Sequence, residues 1–299
     1  MTKPLRLVGD ISGTLPWQEG QWAGLDWAAV MHRGFRRARQ EDRLVVVPLV
    51  LSPVPLLLLA VADGLGGSAD GAAAAEIAVQ GLADRFLEAL AEQPTPPDTP
   101  PDTRSSHTAL VLAFGRLDAA IRAAAADQEP GATTLVAVLA TARELVHAGA
   151  GDSRFYHLPA QGRAYRTRDH SMARIYVDGG RIANEEEAPA QLRNTLFSTL
   201  GGPDPTLVIE PNWGGKEADG TDQASPALRG IAAGDLLMLC SDGLWGEVEP
   251  ARFDAILAEE AGAPLRQIGE RLVAAALAAG GRDNIAVILA RPAPMGSPP

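Results

Sequence analysis

The chain has a single cysteine, Cys240, and only two lysines, Lys3 and Lys216. One thiol cannot build a disulfide framework, which removes the stapled secreted scaffolds and fits a reducing, cytoplasmic setting. Cys240 ends the apolar run Leu236, Leu237, Met238, Leu239 with no base beside it, so it reads as a small buried residue rather than a nucleophile. The first twenty residues contain no long apolar stretch, so a secretory leader is not expected. A membrane helix is not expected either. Leu44 to Ala62 is free of charge, but Pro48, Pro53 and Pro55 would cost a helix several hydrogen bonds, and two buried strands joined by a turn at Ser52–Pro55 explain it better. Basic charge is scarce, 26 Lys and Arg against 37 Asp and Glu, giving a net charge of −11. Such a chain has no diffuse attraction for nucleic acid or anionic lipid, so neither is an expected partner. An acidic balance suits a protein that gathers divalent cations, and equally any soluble acidic protein.

What is present is apolar material for a large core, 46% of 299 residues, arranged in a regular order. Residues 1–24 read as an N-terminal extension with little periodic pattern, 25–291 as one domain, and 292–299 as a disordered tail. Strands are predicted at 26–31, 44–51, 56–62, 133–140, 145–150, 235–240 and 284–290, with a short hairpin at 153–158 and 163–167. Helices are predicted at 70–90, 106–126, 251–262 and 265–279, the last with Pro264 at its start. A proline-rich loop, 93–104, separates the first two helices and reads as an extended spacer. Residues 171–200 are polar and partly helical, and 212–230 form a Gly- and Asp-rich loop. Strands come in adjacent pairs with short turns while helices fall between the pairs, which argues for antiparallel sheets covered by helices.

Aspartates punctuate the strand ends. Asp42 precedes the strand 44–51 and Asp63 follows 56–62, nearly equidistant from the turn, so the two face each other across an antiparallel ladder. Asp152 follows 145–150, Asp242 follows 235–240 and Asp283 precedes 284–290; if the last two strands pair, Asp242 and Asp283 share an end. Aspartate is common at strand ends because it favours turns, and that reading serves any one of them. Carboxylates crowded together repel unless a cation lies between them, and oxygen-only ligands suit hard cations such as Mg²⁺, Mn²⁺ or Ca²⁺. Ahead of Asp42 runs Arg33-Gly-Phe-Arg-Arg-Ala-Arg-Gln-Glu-Asp42. Its arginines are either a solvated basic stretch or, in part, holders of a phosphate that bridges to metals.

Together these segments resemble the metal-dependent protein phosphatases of type 2C, in their bacterial form. The family's opening motif is similar to Gly34–Asp42, with its arginine on Arg37 and its acidic pair on Glu41-Asp42. Val61-Ala-Asp-Gly-Leu-Gly-Gly67, Gly131-Ala-Thr-Thr134, Gly151-Asp-Ser-Arg154, Asp169-His-Ser171, Arg193-Asn194, Ser241-Asp-Gly-Leu-Trp245 and Asp283-Asn284 follow in the family's order. The resemblance implies an α+β fold, an α-β-β-α sandwich of two packed antiparallel sheets flanked by helices, with a flap over 171–200. It implies a serine/threonine phosphoprotein phosphatase that uses Mn²⁺ or Mg²⁺, acts through a hydroxide bridging two metals, and opposes a Ser/Thr kinase. Asp63 would bridge the metals, the carbonyl of Gly64 would bind one, and Asp242 and Asp283 the other. Glu41 and Asp42 would act directly or through water, and Arg37 would hold phosphate. Asp152 would serve a third metal, expected weak or absent because Gly246 stands where many relatives carry an aspartate. Leu65 stands where eukaryotic relatives place a histidine, and His170 belongs to the flap entrance with a structural role.

Two other readings compete. Gly64-x-Gly66-x-x-Ala69 before an alanine-rich helix imitates a dinucleotide-binding turn, but the helix runs into the proline tract instead of a second parallel strand. A phosphatase-like sensor or binding module would be expected to lose the core aspartates, and Asp63, Asp242 and Asp283 are all present.

Overall fold

A computed structural model describes residues 14–65, 70–94, 102–212 and 226–293. In chain order its elements begin with β1 (Thr14–Trp22), β2 (Leu25–His32), β3 (Arg43–Leu51), β4 (Val54–Ala62), α1 (Gly71–Ala91) and α2 (Thr103–Ala124). The middle of the chain supplies β5 (Ala132–Thr133), β6 (Leu135–Ala140), β7 (Glu144–Ala150), β8 (Arg154–Leu158) and β9 (Tyr165–Arg166). The flap region holds α3 (Met172–Asp178), a 3-10 turn at Glu185–Glu187, α4 (Ala190–Arg193) and β10 (Leu200–Gly201). Then come β11 (Leu228–Gly230), β12 (Leu236–Cys240), α5 (Asp242–Trp245), α6 (Pro250–Glu259), α7 (Leu265–Ala278) and β13 (Ile285–Pro292).

The strands form a six-stranded sheet, β1-β2-β13-β12-β8-β9, and a five-stranded sheet, β11-β7-β6-β4-β3, with β10 and β5 paired separately. Every strand pairing in these sheets is antiparallel, as short turns between adjacent strands require. Alternation divides each inner strand between two layers. On β3, Leu44 and Val46 face the other sheet, while Val45, Val47 and Leu49 face the helices. Three apolar layers result: α1 and α2 on the five-stranded sheet, the two sheets on each other, and α6 and α7 on the six-stranded sheet. This is the expected α-β-β-α sandwich. Each of the first two helices begins at an aspartate cap: Asp70 accepts from the Ala73 amide at 3.1 Å and Asp102 from the Ser105 amide at 2.6 Å.

Several boundaries differ from expectation. Residues 14–22 are not extension but an edge strand paired with β2, its alternation broken by a register shift between Leu15 and Gln18. The last strand continues to Pro292, which shortens the expected tail. Helix α2 starts at Thr103, so the proline-rich loop gives up its last two residues, and 95–101 lie outside the described residues. The loop expected over 212–230 ends in β11, paired with β7, while 213–225 lie outside the described residues. Residues 1–13, Gly66, Gly67 and 294–299 lie outside them as well. Among the described residues no helix is long and apolar enough to cross a membrane.

Candidate metal centre

The registers carry the acidic residues to one end of the sandwich. Arg43 pairs with Ala62 in the β3–β4 ladder, so the next positions outward are Asp42 and Asp63, face to face. Cys240 pairs with Arg154 and with Val287, so extending those ladders sets Asp242 opposite Asp152 and beside the turn that holds Asp283. The two sheets are then stitched together. The Ser241 hydroxyl donates to Asp42 Oδ2 at 2.7 Å, and the Glu41 amide donates to Asn284 Oδ1 at 2.8 Å.

Asp63 is fixed by its neighbour across the ladder. Its amide donates to Thr134 Oγ1 at 3.0 Å, and its carbonyl accepts from the Thr134 amide at 2.9 Å. Its carboxyl lies close enough to those of Asp42 and Asp242 for their charges to act on it. A side chain at Gly64 would meet the carbonyl oxygens of Gly71 at 2.5 Å and Glu41 at 2.8 Å, so only glycine lets the Gly64 backbone lie this close to Glu41. The carboxyls of Asp42, Asp63, Asp152 and Asp242 are all raised above the usual carboxylate range, first by burial and then by one another's charge. Arg154 works against the rise at Asp152. No three His, Cys, Asp or Glu side chains among the described residues stand around one point as a ready cation cage. The donor set is oxygen only, and Asp242 Oδ1 is buried with no hydrogen-bond partner. Acceptors held together at such electrostatic cost fit a hard divalent cation, which would displace their protons.

The remaining predicted residues take up different stations. Arg37 Nη2 donates to Asp283 Oδ2 at 2.6 Å, so the arginine expected to hold phosphate rests on a carboxylate of the cluster. Glu41, part-buried, faces Arg39 at 3.4 Å. Glu247, next to Gly246, is held by Arg282 Nε at 3.0 and 3.1 Å. His170 is turned away: its ring stacks on Phe197 with centroids 5.3 Å apart, and its Nδ1 accepts from the Gly151 amide at 3.3 Å.

Sequence reasoning passed over two residues that shape the site. Arg43 is almost wholly buried and donates to the carbonyls of Gln40 at 2.9 Å and Asp42 at 2.8 Å while pairing with Glu76 of α1 at 2.5 Å. A charge opening an otherwise apolar strand was the available signal. Trp245 donates from Nε1 to the Asp152 carbonyl at 3.1 Å, and its ring lies 3.3 Å beneath the guanidinium of Arg154. Asp169 grips that guanidinium with both oxygens, at 2.8 and 2.6 Å. The flap entrance is thereby tied to the backbone of Asp152. Beside this network opens a cavity of about 620 Å³ between Trp245, Phe253 and Arg193.

Comparison with known proteins places this geometry. A family model described as Protein phosphatase 2C matches residues 41–285. The serine/threonine protein phosphatase PstP of Mycobacterium tuberculosis is 30% identical over 276 residues, covering 89% of this chain and 45% of PstP. The chain thus spans less than half the length of the mycobacterial relatives it matches. The serine/threonine phosphatase stp of Listeria innocua is 27% identical over 232 residues, covering 78% of this chain and 83% of stp. The catalytic domain of PstP, solved in complex with two manganese ions, aligns with a TM-score of 0.62 at 27% identity over 90% of this chain and 99% of that one. The matched segment runs from the acidic pair through the last aspartate turn, over two antiparallel sheets that bring those residues to one end: the chain belongs to the protein phosphatase 2C family.

Proposed function

We propose that this chain is a phosphoprotein phosphatase that hydrolyses phosphoserine and phosphothreonine esters with two Mn²⁺ or Mg²⁺ ions, in opposition to a Ser/Thr kinase. The observation that carries the reading is the convergence of Asp42, Asp63, Asp152, Asp242 and Asp283 at the joined ends of two sheets. The residues that would hold the cations are Asp63, the carbonyl of Gly64, Asp242 and Asp283, with Glu41 and Asp42 acting directly or through water. When bound, the cations supply Lewis-acid activation of a water and neutralise charge at the transferring phosphoryl group. Asp42, anchored by Ser241, orients that water by accepting a hydrogen bond. Arg37, which rests on Asp283 beside the cluster, would present its fork to the phosphate oxygens. His170 is committed to Gly151 and Phe197, so it does not deliver the proton to the leaving oxygen. A single buried thiol fits a reducing, cytoplasmic setting.

The third metal position is weak. Gly246 brings no carboxylate, and Glu247 is occupied by Arg282, which leaves Asp152 and Asp242 short of an anionic partner. The deciding experiment measures hydrolysis of an aryl phosphate and of a phosphothreonine peptide with and without Mn²⁺. Turnover should require the metal and vanish with a chelator. Asp63→Asn should lose at least about a hundredfold while its circular dichroism is unchanged. Wild-type turnover that survives the chelator overturns the reading, and so does an Asp63→Asn enzyme that keeps more than a few per cent of the rate.

A further inference from the structure

Residues 33–39 carry more positive charge than the proposed chemistry uses. Arg33, Arg36, Arg37 and Arg39 fall within seven positions of a chain whose net charge is −11. All four are exposed, and so is Phe35, at 65%. Arg37 faces Asp283 and Arg39 faces Glu41, whereas Arg33 and Arg36 have no carboxylate partner among the described residues. The loop backbone is clamped to the edge of the carboxylate cluster. Asn284 Nδ2 donates to the carbonyls of Arg33 at 2.8 Å and Arg39 at 3.0 Å, and the Gly34 amide donates to His32 Nδ1 at 2.9 Å. Gly34 has φ +75°, and a side chain there would strike the Asp283 carbonyl oxygen at 2.2 Å. The Phe35 amide donates to the Gly281 carbonyl at 2.6 Å, and its ring stands edge-on to His32 at 6.0 Å. Unpaired arginines and an exposed aromatic therefore project from a frame that is already rigid, so little ordering cost attends a partner that meets them.

We infer that this loop docks acidic residues flanking the phosphorylated side chain of a protein substrate, with Phe35 against an apolar neighbour; the inference rests on the phosphatase reading. A phosphate ester on an acidic segment is repelled at range by a chain of this charge. At short range Arg33 and Arg36 reverse the sign of the field at the mouth of the site. An extended peptide advances about 3.3 Å per residue, so acidic side chains within about three residues of the phosphorylated one reach the loop. The contacts are exposed, so they set encounter and KM more than the chemical step, and salt weakens them.

The test compares phosphothreonine peptides whose three flanking residues on each side are Glu, Ala or Lys, with an aryl phosphate as the control lacking flanks. Wild-type enzyme with Mn²⁺ should favour the Glu peptide over the Lys peptide in kcat/KM by about tenfold at low ionic strength, falling to about twofold at high salt. R33E/R36E should abolish or reverse that order and leave aryl phosphate turnover within about twofold of wild type. Equal turnover of Glu and Lys peptides overturns the inference. So does a preference that survives in R33E/R36E, or an equal loss on the aryl phosphate, which would place the arginines in the machinery itself. Should no ester be hydrolysed at all, the phosphatase reading fails separately. Fluorescence anisotropy of Glu- and Lys-flanked phosphonate peptides then still decides the docking surface, tighter binding of the Glu peptide supporting it and equal binding overturning it.

Discussion

Arg37 and Arg36 are adjacent in sequence and differ in what they touch. Arg37 reaches Asp283, while Arg36 has no acidic partner among the described residues. If Arg37 holds phosphate as proposed, replacing it with alanine removes a charge-assisted contact worth about 1.5–3 kcal/mol and should raise KM for an aryl phosphate about 10- to 100-fold with a smaller change in kcat. Arg36→Ala should move neither constant for that small substrate, and steady-state kinetics on the two variants checks both; equal effects would mean that the wrong arginine has been assigned. The aspartates were legible because strand register is a matter of counting: the turn at Ser52–Pro55 sets Asp42 opposite Asp63 whatever the side chains do. Arg43 was not. Its sequence neighbours give no hint that its guanidinium would fold back onto the Gln40 and Asp42 carbonyls, because the partner that completes its shell, Glu76, comes from a helix beginning 28 residues later (43 to 71).

Among the elements, β1 was missed for a physical reason. Its bulge interrupts the two-residue period, and what secures it is not its own pattern but the ladder to β2 and a seat for Trp17 on α7. The Trp17 ring fills the space above Gly269, where a Cβ would come within 2.0 Å of it. An alanine in a helix interior normally gains about 0.5–1 kcal/mol over glycine. Gly115 of α2, exposed and with nothing within 4 Å of its would-be Cβ, should show that gain, and Gly115→Ala should raise Tm by a few degrees. Gly269→Ala should lower Tm, at a cost in stability of about 1–3 kcal/mol, because overpacking against Trp17 outweighs propensity. Thermal melts of the two single variants settle the matter, and a stabilised Gly269→Ala would mean that β1 is not docked there. The long helices and the hairpin strands needed no such context, since their apolar periods run unbroken for two turns or more.

At the scale of the whole molecule, the carboxyl cluster sets how stability depends on pH and metal. Burial, then Ser241 and the neighbouring charges, leave Asp42 at about 8, and burial with Asp283 leaves Asp242 at about 6, against 3.8 in an unfolded chain. A raised carboxyl favours the folded state fully below its unfolded value and loses that contribution as pH climbs through its folded value. Metal-free protein should therefore lose Tm between pH 6.5 and 8. Below that window His147, held by burial at about 3, opposes the trend by taking a proton only when the chain unfolds. If Mn²⁺ binds this cluster as proposed, it takes the ionised form, so the difference in Tm between loaded and chelated protein should widen from pH 6.5 to 8. Calorimetry at the two pH values measures it, and a constant difference would count against cation binding at this cluster. The layered architecture was readable from paired strands and intervening helices, but the strand order was not, because nothing local to β2 announces that β13 will lie beside it. That pairing governs how the protein is made. His32 waits for Ile285, and Asp283 stands at the threshold of the same late strand. On the ribosome the first half of the molecule can fold its hairpin and helices, yet the six-stranded sheet stays split until β13 has emerged. A chain that stops short of Asp283 lacks both the strand that joins β2 to β12 and a wall of the carboxylate cluster, so an interrupted chain can close neither the six-stranded sheet nor the cluster.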